Sequence, residues 1–150
     1  MDAFLQLLAW YLCEGSVDRR NGHTCITISQ YLHKHIMYDC LRPFNPHLVN
    51  GGINIYDPCL NMYFRQFGSA NKKYIPDFVK TLSARQIRVF LDAFALGDGE
   101  QTKTRKTKLF CGVIYNNYKT SSKRMADDLI EFLVNASYEA TREKKYRKSN

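Results

Sequence analysis

Two stretches of nine residues, LLAWYLCEG over Leu7 to Gly15 and LDAFALGDG over Leu91 to Gly99, share one pattern. Each is an apolar run with small residues four apart, closed by an acid and a glycine. Residues four apart lie on one face of a helix. Ala9 and Cys13 in the first stretch, and Ala93 and Gly97 in the second, therefore mark a face along which two helices can approach backbone to backbone. Glu14 and Asp98 occupy equivalent positions. A helix C-terminus already exposes carbonyl groups and carries the negative end of the dipole, so two acids meeting there repel each other. A divalent cation, Mg²⁺ or Mn²⁺, held by the two carboxylates with the backbone carbonyls near Cys13 and Gly97, is the simplest compensation. A single apolar helix stopped by glycine is commonplace. Recurrence after 84 residues in a chain of 150 points instead to an internal repeat about a pseudo-two-fold axis.

At these residues the chain resembles the LAGLIDADG homing endonucleases, nearest in spelling to the dodecapeptide type of inteins and some free-standing group I intron endonucleases. Trp10, Tyr11 and Leu12 replace Leu, Ile and Asp of that motif in the first copy, and Asp92, Phe94, Ala95 and Leu96 depart in the second. The acid and glycine stand in both. The resemblance implies an α+β fold of two pseudo-symmetric αββαβ(β)α half-domains, 1–80 and 81–150, packed through the two motif helices, each with an antiparallel sheet facing DNA. It implies a metal-dependent, site-specific double-strand DNA endonuclease that hydrolyses phosphodiester bonds and promotes mobility of an intron or intein. Glu14 and Asp98 would be the catalytic, metal-holding acids. The target would be a long asymmetric duplex, cut across the minor groove to leave 3′ overhangs. In this family a Lys-x-Ile-Pro block lies between the motif helices, and Lys73-Tyr74-Ile75-Pro76 matches it. Lys73 is thus the candidate catalytic cation, with the adjacent Lys72 leaving the register open. The alternative is an RNA maturase acting on intron RNA, or a DNA-binding protein that does not cleave, on the same scaffold. No stretch resembles the splicing blocks of an intein.

Composition is consistent with a polyanionic partner. The formal net charge is +8 and the pI near 9.3, which favours nucleic acid although lysine also serves solubility. The excess is concentrated late, with 12 Lys or Arg against 6 Asp or Glu after Gly99, compared with 10 against 8 before it. Five scattered cysteines, an odd number without metal-ligand spacing, read as reduced thiols of an intracellular protein that is not secreted, in cytoplasm, nucleoid or organelle matrix. No apolar run approaches the roughly 20 residues of a membrane span. One chain carrying two unlike halves would act as a monomer if complete.

Between the motifs, Asn21-Gly22 is a strong hairpin signal, because a type I′ turn needs positive φ at both central residues. It pairs Arg20 with His23, Asp18 with Cys25 and Ser16 with Thr27. One face then shows Ser16, Asp18, Arg20, His23, Cys25, Thr27 and Ser29, and the other Val17, Ile26 and Ile28 with Arg19 and Thr24. A polar face of this kind is ordinarily the solvated side of a sheet. Under the resemblance it becomes a ribbon for the DNA major groove, with Ser16, Asp18, Arg20, His23, Thr27, Ser29 and Gln30 as candidate contacts.

Gln30 to Arg42 reads as an amphipathic helix carrying Leu32, Ile36, Met37 and Cys40, with His33 and His35 as surface or phosphate contacts. A turn at Asn50-Gly51-Gly52 leads to a strand through Tyr56. Asp57-Pro58 caps a helix from Cys59 to Phe67, and Ser83 with Gln86 forms a capping box ahead of the second motif helix. Beyond Gly99, Thr102 to Tyr115 resembles a second ribbon whose Lys103, Arg105, Lys106 and Lys108 would grip phosphates. Ser122 opens a helix to Ala136 with Asp127 and Asp128 off its apolar side, and Tyr138 to Tyr146 is a further strand. The second half lacks a final helix and a second lysine block. The chain is accordingly either a shortened piece of a longer endonuclease or a minimal version.

Overall fold

A computed structural model describes residues 1–20, 22–100, 117–135 and 140. Helix α1, Asp2–Glu14, is buried along Leu5 and Leu7 to Leu12, as expected of a segment apolar on nearly every face. It passes without a loop into β1, Gly15–Arg20, which pairs antiparallel with β2, His23–Ser29. The register is Ser16 to Thr27, Asp18 to Cys25 and Arg20 to His23, as read from the turn sequence, and Gly22 has φ +82°.

The second hairpin joins β3, His47–Val49, to β4, Gly52–Ile55, across a turn in which Gly51 has φ +86°. Strand β4 pairs with β2, giving one antiparallel sheet in the order β1-β2-β4-β3. The strand over Ile53 and Ile55 was expected. Its partner β3 was not, because His47-Leu48-Val49 is too short to show an alternation. Ile26, Ile28, Ile53 and Ile55 are all fully buried and make one face of the sheet part of the core.

Helix α2 spans Lys34–Leu41, four residues shorter at its start than the Gln30 boundary read from periodicity. The carboxamide Oε1 of Gln30 accepts hydrogen bonds from the backbone N–H groups of Leu32 and His33. That side-chain turn competes with helix at these positions. Of the expected apolar face Met37 is buried, but Leu32 is 83% and Ile36 47% exposed, and Leu41, which was not expected there, is buried beside Met37.

Asp57 caps α3, Pro58–Phe64, its carboxylate accepting from Leu60 N–H at 2.9 Å. The last three residues of the expected helix, Arg65–Phe67, form a 3₁₀ turn stopped by Gly68 at φ +63°. Phe64 and Phe67 pack at tilted angles against Tyr11 of α1, ring centroids 4.4 and 5.9 Å away, which docks α3 on the first motif helix.

A short helix α4, Asp77–Lys80, follows the Lys-x-Ile-Pro block. Then α5, Ala84–Asp98, begins at Ser83, where the hydroxyl accepts from Gln86 N–H and the Gln86 carboxamide accepts from Ser83 N–H. This is the reciprocal capping box. Helix α5 packs along α1 and passes directly into β5, Gly99–Glu100, which pairs with β6, Asn117–Tyr118. Helix α6, Lys123–Asn135, closes the described structure, its Phe132 edge-on to Phe90 of α5 at 5.4 Å.

The fold is mixed helix and sheet, an α+β arrangement. The Lys103 to Lys108 ribbon and the Tyr138 to Tyr146 strand lie outside the described residues, apart from Ala140. Among the described residues no helix is long and apolar enough to cross a membrane.

Candidate active site at the paired helix ends

Helices α1 and α5 lie close together at Gly97. A Cβ added there would stand 2.7 Å from both Cβ and Sγ of Cys13, so the pair admits no second side chain. Ala9 and Ala93 are likewise buried. The Cys13 thiol donates to the Phe94 carbonyl at 3.4 Å, crossing from one helix to the other. Gly15 is demanded by a different contact: a Cβ there would collide with the Cα and ring of Tyr11, where the chain leaves the helix for the strand.

These contacts bring the two acids into one electrostatic neighbourhood. The Glu14 carboxyl is pushed above the usual carboxylate range by burial and then by the charge of Asp98, with Lys73 opposing. Asp98 is also raised, again by burial first, against a hydrogen bond with Cys13 and the charge of Lys73. Burial and the neighbouring carboxylates push the Cys13 thiol well up. Tyr11, buried beneath and donating to the Phe64 carbonyl, has its phenol pushed up to about 12, chiefly by burial.

Of the two neighbouring lysines, Lys73 is 4% exposed, whereas Lys72 lies at the surface. Its Nζ donates to the carbonyls of Tyr11 and Gly15, each at 2.7 Å, and sits 4.9 Å from the centre of the Tyr11 ring. The ammonium therefore caps α1, countering the negative end of its dipole. Burial lowers the Lys73 pKa, while the charges of Cys13, Asp98 and Glu14 pull it back up. An ammonium has three protons, and two are committed to carbonyls, leaving one to meet a further acceptor.

The donor set fits a hard divalent cation. Two carboxylates at equivalent helix ends, both raised by burial, supply oxygen ligands and a charge imbalance that a cation would relieve. Among the described residues no group of three or more His, Cys, Asp or Glu side chains is placed to hold a metal. Backbone carbonyls, water and substrate oxygens would have to complete the shell.

The sheet adds a polar row across all its strands. Register places Ser16, Thr27, Asn54 and His47 side by side on β1, β2, β4 and β3. Thr27 donates to Asn54 Oδ1 at 3.1 Å, and the Asn54 carboxamide donates to the Tyr56 hydroxyl at 3.3 Å. Ser16 donates to Asp18 at 2.7 Å, and Arg20 lies 3.6 Å from the same carboxylate. His23 and Ser29 are exposed. Sequence reasoning missed Asn54, His47 and Tyr56, since their place in the row follows from strand pairing. Gln30 departs from its expected role as a base contact: it is 7% exposed, and its amide is committed to Leu32, His33 and, at 3.5 Å, the Leu96 carbonyl of α5. Lys103, Arg105, Lys106 and Lys108 lie outside the described residues.

No protein-family model matches the chain, and no curated protein matches it significantly.

Proposed function

We propose that the chain is a site-specific DNA endonuclease of the LAGLIDADG type, built as two half-domains related through α1 and α5 and cutting a long asymmetric duplex. The observation that carries this reading is the pairing of Glu14 and Asp98: two acids at the ends of two closely packed helices, beside a buried lysine. Each helix runs straight into a strand through a glycine, Gly15 and Gly99.

Glu14 and Asp98 would hold Mg²⁺ or Mn²⁺, which when bound activates a water and stabilises the leaving 3′ oxygen. Lys73 keeps its ammonium beside the acids and offers a third proton to a phosphate oxygen or to the attacking water, stabilising developing negative charge. The half-buried Ser16 and the exposed His47, Arg20 and His23 are suited to base edges and phosphates, since a sheet ribbon fits the major groove, while Thr27 and Asn54, 9% and 6% exposed, bond to each other within the sheet and brace that face. The basic ribbon expected between Gly99 and Tyr115 would serve the other half-site.

The test is in vitro selection of cleaved molecules from a randomised duplex library in Mg²⁺. Wild-type protein should enrich one long asymmetric site and leave 3′ overhangs there. Glu14→Gln and Asp98→Asn should bind the same duplex and leave it intact. Cleavage of the selected site by either variant at the wild-type rate refutes the assignment.

A further inference from the structure

We propose that α6 is the positioning element for Lys73, with Ser122, Arg124 and Asp128 each gripping one of the three residues 73–75. The inference rests on Lys73 serving the cleavage reaction, and it adds that the second half of the chain sets where that lysine stands.

Residues 73–76 lie between a 3₁₀ turn, Ala70–Lys72, and α4, and belong to no helix or sheet ladder. Their backbone polar groups need partners elsewhere. Helix α6 provides them in sequence. The Ser122 hydroxyl donates to the Lys73 carbonyl at 2.6 Å, the Arg124 guanidinium lies 4.0 Å from the Tyr74 ring centre, and Asp128 Oδ2 accepts from Ile75 N–H at 3.0 Å.

Each gripping group is itself held. Ser122 is buried, and its oxygen also accepts from Met125 N–H as the α6 cap. Asp128 keeps its second oxygen 2.9 Å from Lys80 Nζ, and both side chains are 12% exposed. Side chains locked in this way transmit a position. The lysine is thus fixed from two sides, its ammonium by the carbonyls of Tyr11 and Gly15 and its backbone by α6 with its cap. Helix α6 follows β6, which pairs with the strand leaving the second motif helix. A displacement of those strands on DNA would therefore be carried through α6 to the lysine beside Glu14.

The experiment uses the full chain and a duplex carrying the selected site, with single-turnover cleavage measured at saturating protein, the Kd measured without divalent metal, and the Tm measured alongside. Ser122→Ala and Asp128→Ala should slow the saturating rate about ten- to a hundredfold, the cost of misplacing a reacting group by a fraction of an ångström to an ångström. The Kd should stay unchanged, and Ser122→Thr should restore the rate. Phe132→Leu weakens the packing of the same helix on Phe90 and removes no hydrogen bond to residues 73–75, so it should lower the Tm and leave the saturating rate intact. If Ser122→Ala and Asp128→Ala cut at the wild-type rate while Lys73→Met is inactive, the positioning role alone is overturned. If their loss is no greater than that of Phe132→Leu at equal Tm, it is likewise overturned. A Lys73→Met protein that cuts normally would overturn both this inference and the role of Lys73 beneath it.

Discussion

Replacing Gly97 by alanine tests the helix pairing directly. The new Cβ would stand 2.7 Å from Cys13 Cβ and Sγ, whereas carbon atoms rest comfortably at about 3.5–4.0 Å. The helix ends must therefore part by roughly 0.8 Å or more. Cys13 has little room to yield, since its thiol donates to the Phe94 carbonyl across the interface. Overpacking of this kind costs ~1–3 kcal/mol, and alanine returns up to about 1 kcal/mol of helix propensity. The net loss should be about 1–2 kcal/mol, or roughly 3–6 °C in Tm. Cys13→Gly removes both clashing atoms, so the Gly97→Ala and Cys13→Gly pair should be at least about 1 kcal/mol more stable than the sum of the single effects. Thermal and urea unfolding of the four proteins measures this coupling. Cleavage should follow geometry, with Gly97→Ala slowed about tenfold or more as Asp98 moves from Glu14, and partly recovered in the double variant. An unchanged Tm for Gly97→Ala, or strict additivity in the double variant, would refute the claim that this contact holds the acids together.

Three further outcomes are expected. Glu14 and Asp98 have folded-state pKa values above their ordinary ones, so the folded protein binds their protons more tightly than the unfolded chain does. Stability of the metal-free protein should fall as pH rises from the ordinary carboxylate range through the raised values; Glu14→Gln and Asp98→Asn should flatten that slope in pH-resolved urea titrations and lose any stabilisation by Mg²⁺. Lys80 has a raised pKa, first through its hydrogen bond to Glu131, so its contribution should be complete below the ordinary lysine value and lost as pH climbs through the raised one. Lys80→Met should cost about 2 kcal/mol by chemical denaturation, because it leaves Asp128 largely buried without its cation. Asn54→Ala removes the buried centre of the polar row and leaves the Thr27 hydroxyl without its acceptor, so it should cost ~1–3 kcal/mol of stability, measurable by urea unfolding; an unchanged midpoint would show that these bonds do not hold the sheet face together.

Much of the local architecture was legible because it depends on residues a few positions apart. The β1–β2 register follows from a two-residue turn, and the Asp57 cap and the Ser83–Gln86 box each close within three residues. The motif helices announced their packing face through small residues four apart. What escaped depended on partners distant in the chain. Leu32 has the spacing of a core residue but lies before the helix beside the Gln30 turn, and of the neighbours Ile36 and Met37 it is Met37, with Leu41, that faces inward, because the segments packed there decide the buried face. Asp128 looked like solvated surface on an amphipathic helix, and nothing nearby in sequence announces Lys80 or the Ile75 amide as its partners.

The sequence by itself determined that two equivalent helices end in acids and that a lysine block lies between them, since each is a matter of residue type and spacing. Tertiary structure decided which lysine enters, that it is held by the carbonyls of Tyr11 and Gly15, and that its backbone is gripped by a helix 49 residues further along. It also joined His47 and Asn54 to the row begun by Ser16 and Thr27. The reason is physical: spacing records which face of a helix or strand a residue occupies, while burial and hydrogen-bond partners are set by whichever distant segment packs there.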